Sequence, residues 1–143
     1  MANRDQWERL IEDPSLTASA VEECLRYAPS IPLLIRRALQ DTKLAGTPIA
    51  AGEAGYVSVA AANRDPQRFL DPDRFDIGRT DNEHLTFGGG IHYCLGAMLA
   101  RAETQIIFGT LARRYPRMAL AQQTIEWRDS MMFRGPKAVL VSV

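Results

Sequence analysis

Phe87-Gly88-Gly89-Gly90-Ile91-His92-Tyr93-Cys94-Leu95-Gly96-Ala97 is the stretch on which the reading of this chain turns. Three consecutive glycines admit backbone conformations closed to other residues and allow close approach to a flat ligand. A long helical pattern follows from Leu95 to Arg114, with Leu95, Met98, Leu99, Ala102 and Ile106 on one face and Pro116 closing it. Cys94 therefore stands at a helix start, where free N–H groups make a place for an anionic ligand. The plainer reading is a flexible linker beside a small buried cysteine. A phosphate loop is excluded because no Lys-Ser/Thr follows the glycines. Zinc is disfavoured because His92 is the single nearby imidazole and no paired-cysteine spacing exists.

Upstream, Asn63 to Thr86 is so rich in Pro, Asp, Arg and Gly that regular structure is not expected, and long irregular stretches are functional or disordered. Before it, Leu33-Leu34-Ile35 and Tyr56-Val57-Ser58-Val59 read as strands of a small antiparallel sheet, separated by turn residues. Asp5 to Ile11 reads as a helix broken at Asp13-Pro14. A second, amphipathic helix runs from Thr17 or Ser19 to about Tyr27, with Pro29 ending it. Downstream, Met118 to Val143 suggests a terminal hairpin turning at Arg134-Gly135-Pro136. The fold class is α+β, mainly α, in a single domain over 1–143.

The chain has 143 residues, 46% hydrophobic, with 17 basic and 17 acidic residues, so no overall field draws it onto nucleic acid or an anionic membrane. No apolar run approaches the ~20 residues of a membrane span, and the opening Met1-Ala2-Asn3-Arg4-Asp5 lacks a signal-peptide core, so a cytoplasmic location is expected. Two cysteines, Cys24 and Cys94, do not make a disulfide scaffold.

Phe87, Gly90, Cys94 and Gly96 meet the pattern Phe-x-x-Gly-x-x-x-Cys-x-Gly, which resembles the haem-binding loop of the cytochrome P450 family. Glu23-Cys24-Leu25-Arg26 resembles the family's Glu-x-x-Arg mark; by local reasoning alone the pair is an exposed ion pair of at most ~1 kcal/mol. The resemblance implies a haem-thiolate monooxygenase region. Haem b (iron protoporphyrin IX) would be ligated by Cys94 as axial thiolate and metal ligand, lined by Phe87, Gly88 and Gly96, with Arg36 and His92 on the propionates. It also implies a buried Glu23–Arg26–Arg74 network and structural support from His84. Tyr93 falls at a variable position, and Gly89 stands where many bacterial members carry histidine. Ile31, Pro32, Leu34, Met132 and Phe133 correspond to segments facing an apolar organic substrate, although core packing explains apolar residues equally well.

In a complete member, one atom of O2 enters that substrate, with electrons from NAD(P)H through a ferredoxin reductase and ferredoxin. Docking of the ferredoxin near Cys94 would draw on Arg101, Arg113 and Arg114. The resemblance covers the C-terminal part of such a member, and the helix that roofs the distal haem face is not recognisable before Glu23. The alternatives are a non-catalytic haem-binding or interaction module, self-associating through an uncovered apolar face, or a decayed fragment.

Overall fold

The computed structural model describes residues 3–130 and 132–143. Helix α1 (Arg4–Glu12) stops at Asp13, whose carboxylate accepts from the Ser15 N–H and so turns the chain through Pro14–Leu16 into α2 (Thr17–Tyr27). Helix α2 ends at Tyr27, so that Ala28, the residue before Pro29, is already non-helical, as the restriction on pre-proline backbone requires. Strand β1 (Leu33–Arg37) pairs antiparallel with β4 (Ala54–Ser58), setting Leu34 opposite Val57 and Arg36 opposite Gly55. Between them β2 (Thr42–Leu44) and β3 (Thr47–Ile49) form a hairpin whose turn residues Ala45 and Gly46 both have positive φ, the arrangement that matches strand twist.

The second expected strand ends one residue early. Ser58 Oγ accepts from the Ala61 N–H at 3.1 Å and caps a short helix, α3 (Val59–Ala62), so Val59 turns inward instead of continuing the sheet. From Asn63 to Gly89 the chain has turns and bends but no helix or strand, as its composition predicts. A single 3₁₀ turn, Gly90–His92, leads to α4 (Ala97–Arg114). The chain closes with β5 (Ala119–Leu120) antiparallel to β6 (Val141–Ser142) and a bridge between Trp127 and Pro136.

Helices α1, α2 and α4 enclose a core of Leu10, Ala20, Ile77 and Ala112, flanked by Trp7, Ile11, Leu16, Phe75 and Phe108. Helix α4 contributes its Ala97–Arg101–Phe108–Ala112 side to this packing, and Met98, Leu99 and Ile106 of its apolar face are more than 60% exposed. None of the described helices is long and apolar enough to cross a membrane.

Candidate functional site: the Cys94 loop and its supports

Cys94 lies three residues before the first residue of α4, with an exposed side chain. Its N–H donates to the Phe87 carbonyl at 2.8 Å and its own carbonyl accepts from Ala97 N–H at 3.2 Å, so the loop is closed at one end and tied to the helix at the other. Gly88 has a φ of +72°, and a Cβ there would stand 3.3 Å from the His92 carbonyl oxygen; both facts select glycine. A Cβ on Gly96 would meet only Cys94 Sγ, at 4.0 Å. The cysteine is open to solvent, as are its apolar neighbours in the chain, Ile91 and Leu95, which are almost wholly exposed.

Behind this loop, Glu23 and Arg26 are completely buried. The carboxylate accepts from Arg26 Nε and Nη2, both at 2.8 Å, from the Asp76 N–H at 2.9 Å and from Asn82 Nδ2 at 3.1 Å. Arg26 uses its remaining donors on the backbone carbonyls of Asn63, Pro72 and Arg74. The expected third cation, Arg74, is not in this knot. Its carbonyl faces Arg26, which turns its side chain outward; the guanidinium is 65% exposed and its nearest acid is Asp76 at 3.8 Å. Arg79 takes that place, with Nε 3.2 Å from Glu23 Oε2 and its other nitrogens on the carbonyls of Leu70, Asp71 and Arg74.

Asn63, also fully buried, joins three segments: its amide donates to the Arg26 carbonyl and to Thr86 Oγ1, and accepts from the Leu85 N–H. Thr86 Oγ1 in turn donates to the Leu25 carbonyl at 2.7 Å. Nothing in a loop composition marks these two residues, since their function depends on the path of a segment without periodicity.

A second cluster centres on Glu22. Burial alone would raise its pKa, but hydrogen bonds and charge from Arg101, aided by His84, hold the carboxyl below the usual range. The His84 side chain is almost wholly enclosed, and desolvation pushes its imidazole below its ordinary pKa. Arg101 faces Glu22 with Nε at 2.7 Å and Nη2 at 3.0 Å, so its guanidinium is engaged and not free for a docking partner. Arg113 and Arg114 occupy the last turn of α4, about 25 Å along the axis from its first turn. The expected basic docking patch beside Cys94 is therefore not assembled by these three arginines. Cys24 has a different fate from Cys94: burial, then the Glu23 charge, push its thiol up to about 12, and it lines an apolar cavity with Phe75, Ile77 and Phe108.

Arg36 and His92 are exposed, and among the described residues neither forms an ion pair; Arg36 donates only to the carbonyl of its neighbour Ile35. The Arg134 N–H donates to the Ser30 carbonyl at 2.7 Å, which brings the Met132–Phe133 turn beside the Ile31–Leu34 segment. Met132 and Phe133 are more than half exposed, while Ile31, Pro32 and Leu34 are half-buried.

The cytochrome P450 family model matches residues 3–140. The chain belongs to the cytochrome P450 family. Among its P450 relatives, biflaviolin synthase from Streptomyces coelicolor is 43% identical over 143 residues, covering 97% of this chain and 35% of that protein. The solved P450 PksS of the Bacillus subtilis bacillaene polyketide synthase superposes with a TM-score of 0.95 at 38% identity, over 99% of this chain and 37% of that one. P450BioI, solved in complex with an acyl carrier protein carrying hexadec-9Z-enoic acid, matches with a TM-score of 0.95 at 42% identity, over 100% and 37%. The chain thus spans about a third of the length of the P450 proteins it matches.

The residues present fit the haem that the family uses. An exposed sulfur follows a hydrogen-bonded loop, a glycine leaves space beside it, and the exposed Arg36 guanidinium and His92 ring supply N–H donors for carboxylates.

Proposed function

We propose that this chain forms the thiolate-bearing part of a P450 monooxygenase that inserts one atom of O2 into an apolar organic substrate. The observation that carries the reading is the Cys94 loop: an exposed cysteine whose N–H is locked to Phe87, in a loop where Gly88 is selected by its positive φ and by close approach to the His92 carbonyl.

In this reading Cys94 would hold the haem iron as a thiolate, Phe87, Gly88 and Gly96 would line the haem, and Arg36 and His92 would bind its propionates. Bound haem b supplies the redox chemistry by which dioxygen is activated. The Cys94 thiolate would supply the metal's anionic ligand, and N–H groups at the head of α4 would moderate its charge. The apolar segments Ile31–Leu34 and Met132–Phe133 exclude water and orient the substrate. Electrons come from NAD(P)H through a ferredoxin reductase and ferredoxin, and the whole works in the cytoplasm, without nucleic acid or membrane partners. The carrier-bound acyl chain of P450BioI makes a carrier-tethered apolar chain one substrate form to try.

The deciding experiment is haem reconstitution followed by reduction under carbon monoxide, with Cys94→Ala in parallel. A long-wavelength Soret band that vanishes in Cys94→Ala is the expected result. Haem uptake indifferent to Cys94 overturns the reading.

A second reading has one observation in its favour. The exposure of Leu95, Met98, Leu99 and Ile106 suits a haem-binding or interaction module that self-associates by burying them. Sedimentation of Leu99→Glu against the parent chain separates the two, since a dimer held by this face dissociates in the variant.

A further inference from the structure

Glu22 is adjacent to the buried Glu23 on α2, yet its carboxylate turns to a different set of partners, all of which belong to the Cys94 loop or to α4. Both of its oxygens receive Arg101, at 2.7 and 3.0 Å, and Oε2 also lies 3.1 Å from His84 Nε2. His84 Nδ1 accepts from the Thr86 N–H at 3.2 Å, which leaves the ring proton on Nε2 and makes His84 a donor to Glu22. Arg101 reaches onward: Nη1 donates to Tyr93 Oη at 3.0 Å, and the guanidinium carbon lies 4.6 Å from the centre of the Phe87 ring. Phe87 and Tyr93 are the residues that hold Cys94 on its two sides, one through the carbonyl that accepts the Cys94 N–H and one as its neighbour in the chain.

Three anchors of one loop, His84, Phe87 and Tyr93, thus converge on a single carboxylate–guanidinium pair. An ordinary surface ion pair does not do this: exposed pairs leave both chains free to exchange partners, whereas both oxygens of Glu22 are engaged by Arg101 and His84, and Arg101 is stacked as well as bonded.

We propose that Glu22 and Arg101 form a clamp that fixes the Cys94 loop between α2 and α4, so that both are positioning residues for the cysteine. The clamp acts before any ligand arrives, setting where the sulfur points and how far the loop yields. This rests on Cys94 being the functional ligand, but its test is made on the chain without haem.

The test is amide hydrogen exchange, residue by residue, on the parent chain, Glu22→Ala, Arg101→Ala, the double variant, and Tyr93→Phe. Exchange of the Cys94 and Tyr93 amides is expected to speed up about tenfold in either alanine variant, on the scale of a lost charged hydrogen bond. The double variant should be no faster than the singles, because each removes the same clamp. The Asp76 amide, bound within the Glu23 knot, and the Ala28 amide, bound to the Cys24 carbonyl at the end of α2, should keep their parent rates. Tyr93→Phe deletes one outer hydrogen bond from a half-exposed side chain and should give a smaller rise at Cys94 alone. Equal acceleration of all amides would mean the pair only stabilises the fold, and parent rates at Cys94 would mean the loop is held without it; either overturns the clamp. On haem reconstitution, the same variants should lose a larger share of the thiolate–CO Soret band than of bound haem. If Cys94→Ala leaves haem binding untouched while the exchange result holds, the ligand reading fails and the clamp stands.

Discussion

Helices α2 and α4 pack against each other and are sorted by solvent in opposite ways. The 11 residues of α2 bury Ala20, Val21, Glu23 and Arg26, so two of its four fully enclosed positions are charged. The 18 residues of α4 bury only Ala97 and Ala112 and present Met98, Leu99, Ile106 and Ile107 outward. Interior position here follows from partners, not from polarity. Arg26 is enclosed because three carbonyls and a carboxylate meet its donors, and Met98, Leu99, Ile106 and Ile107 stay open because no described element lies over them.

The sharpest way to break the contrast is to remove one partner from α2. Glu23→Ala leaves Arg26 and Arg79 enclosed beside a void and should cost about 3–5 kcal/mol, with loss of the native denaturation transition as the severe outcome. Leu99→Ala on the open side of α4, by comparison, should move a urea midpoint by no more than about 0.5 kcal/mol.

A finer test separates the two arginines of the irregular segment. Arg79→Ala abandons three carbonyls and the Glu23 contact and should destabilise by about 1–3 kcal/mol, whereas Arg74→Ala should stay within about 0.5 kcal/mol. Equal effects in denaturant titration would restore Arg74 to the knot.

How much of this was legible follows from where local rules act. Pro14, Pro29 and Pro116, and the β-type runs Leu33–Ile35 and Tyr56–Val59, placed α1, α2, α4 and the β1–β4 pair to within about two residues, because caps and proline restrictions operate over three or four residues. The Cys94 loop was legible for the same reason, its glycines being selected locally. Arg79 was not. The choice between it and Arg74 is made by the path from Asp71, a non-glycine residue with φ of 45°, through Asp76, and that path has no periodic signature. Glu22 was missed because adjacent acids on a helix read as one solvated patch, and only the position of α4 reveals that the second acid has its own partner.

The smallest expected effect is on pH dependence. The depressed pKa of His84 means that the folded chain binds fewer protons than the unfolded chain below about 6.5, so stability is complete above that value and declines as pH falls through it. Glu22 works in the same direction at lower pH, since its held-down carboxyl loses its contribution only below about 4.5. The facing charges are Glu22, which opposes the depression of His84, and Arg101, which adds to it. Denaturant midpoints taken between about pH 7.5 and about pH 5.5 should fall in the parent chain and flatten in His84→Gln.

The adjacency of Glu22 and Glu23 has a consequence for how this chain can change length. A helix turns about 100° per residue, so inserting or deleting one residue ahead of Glu22 within α2 rotates both carboxylates off their partners together. The same edit made in the exposed turn between β2 and β3 would reach neither carboxylate. Length variation is therefore tolerated in that hairpin turn and forbidden in α2, which acts as the spindle on which the two halves of the site are indexed.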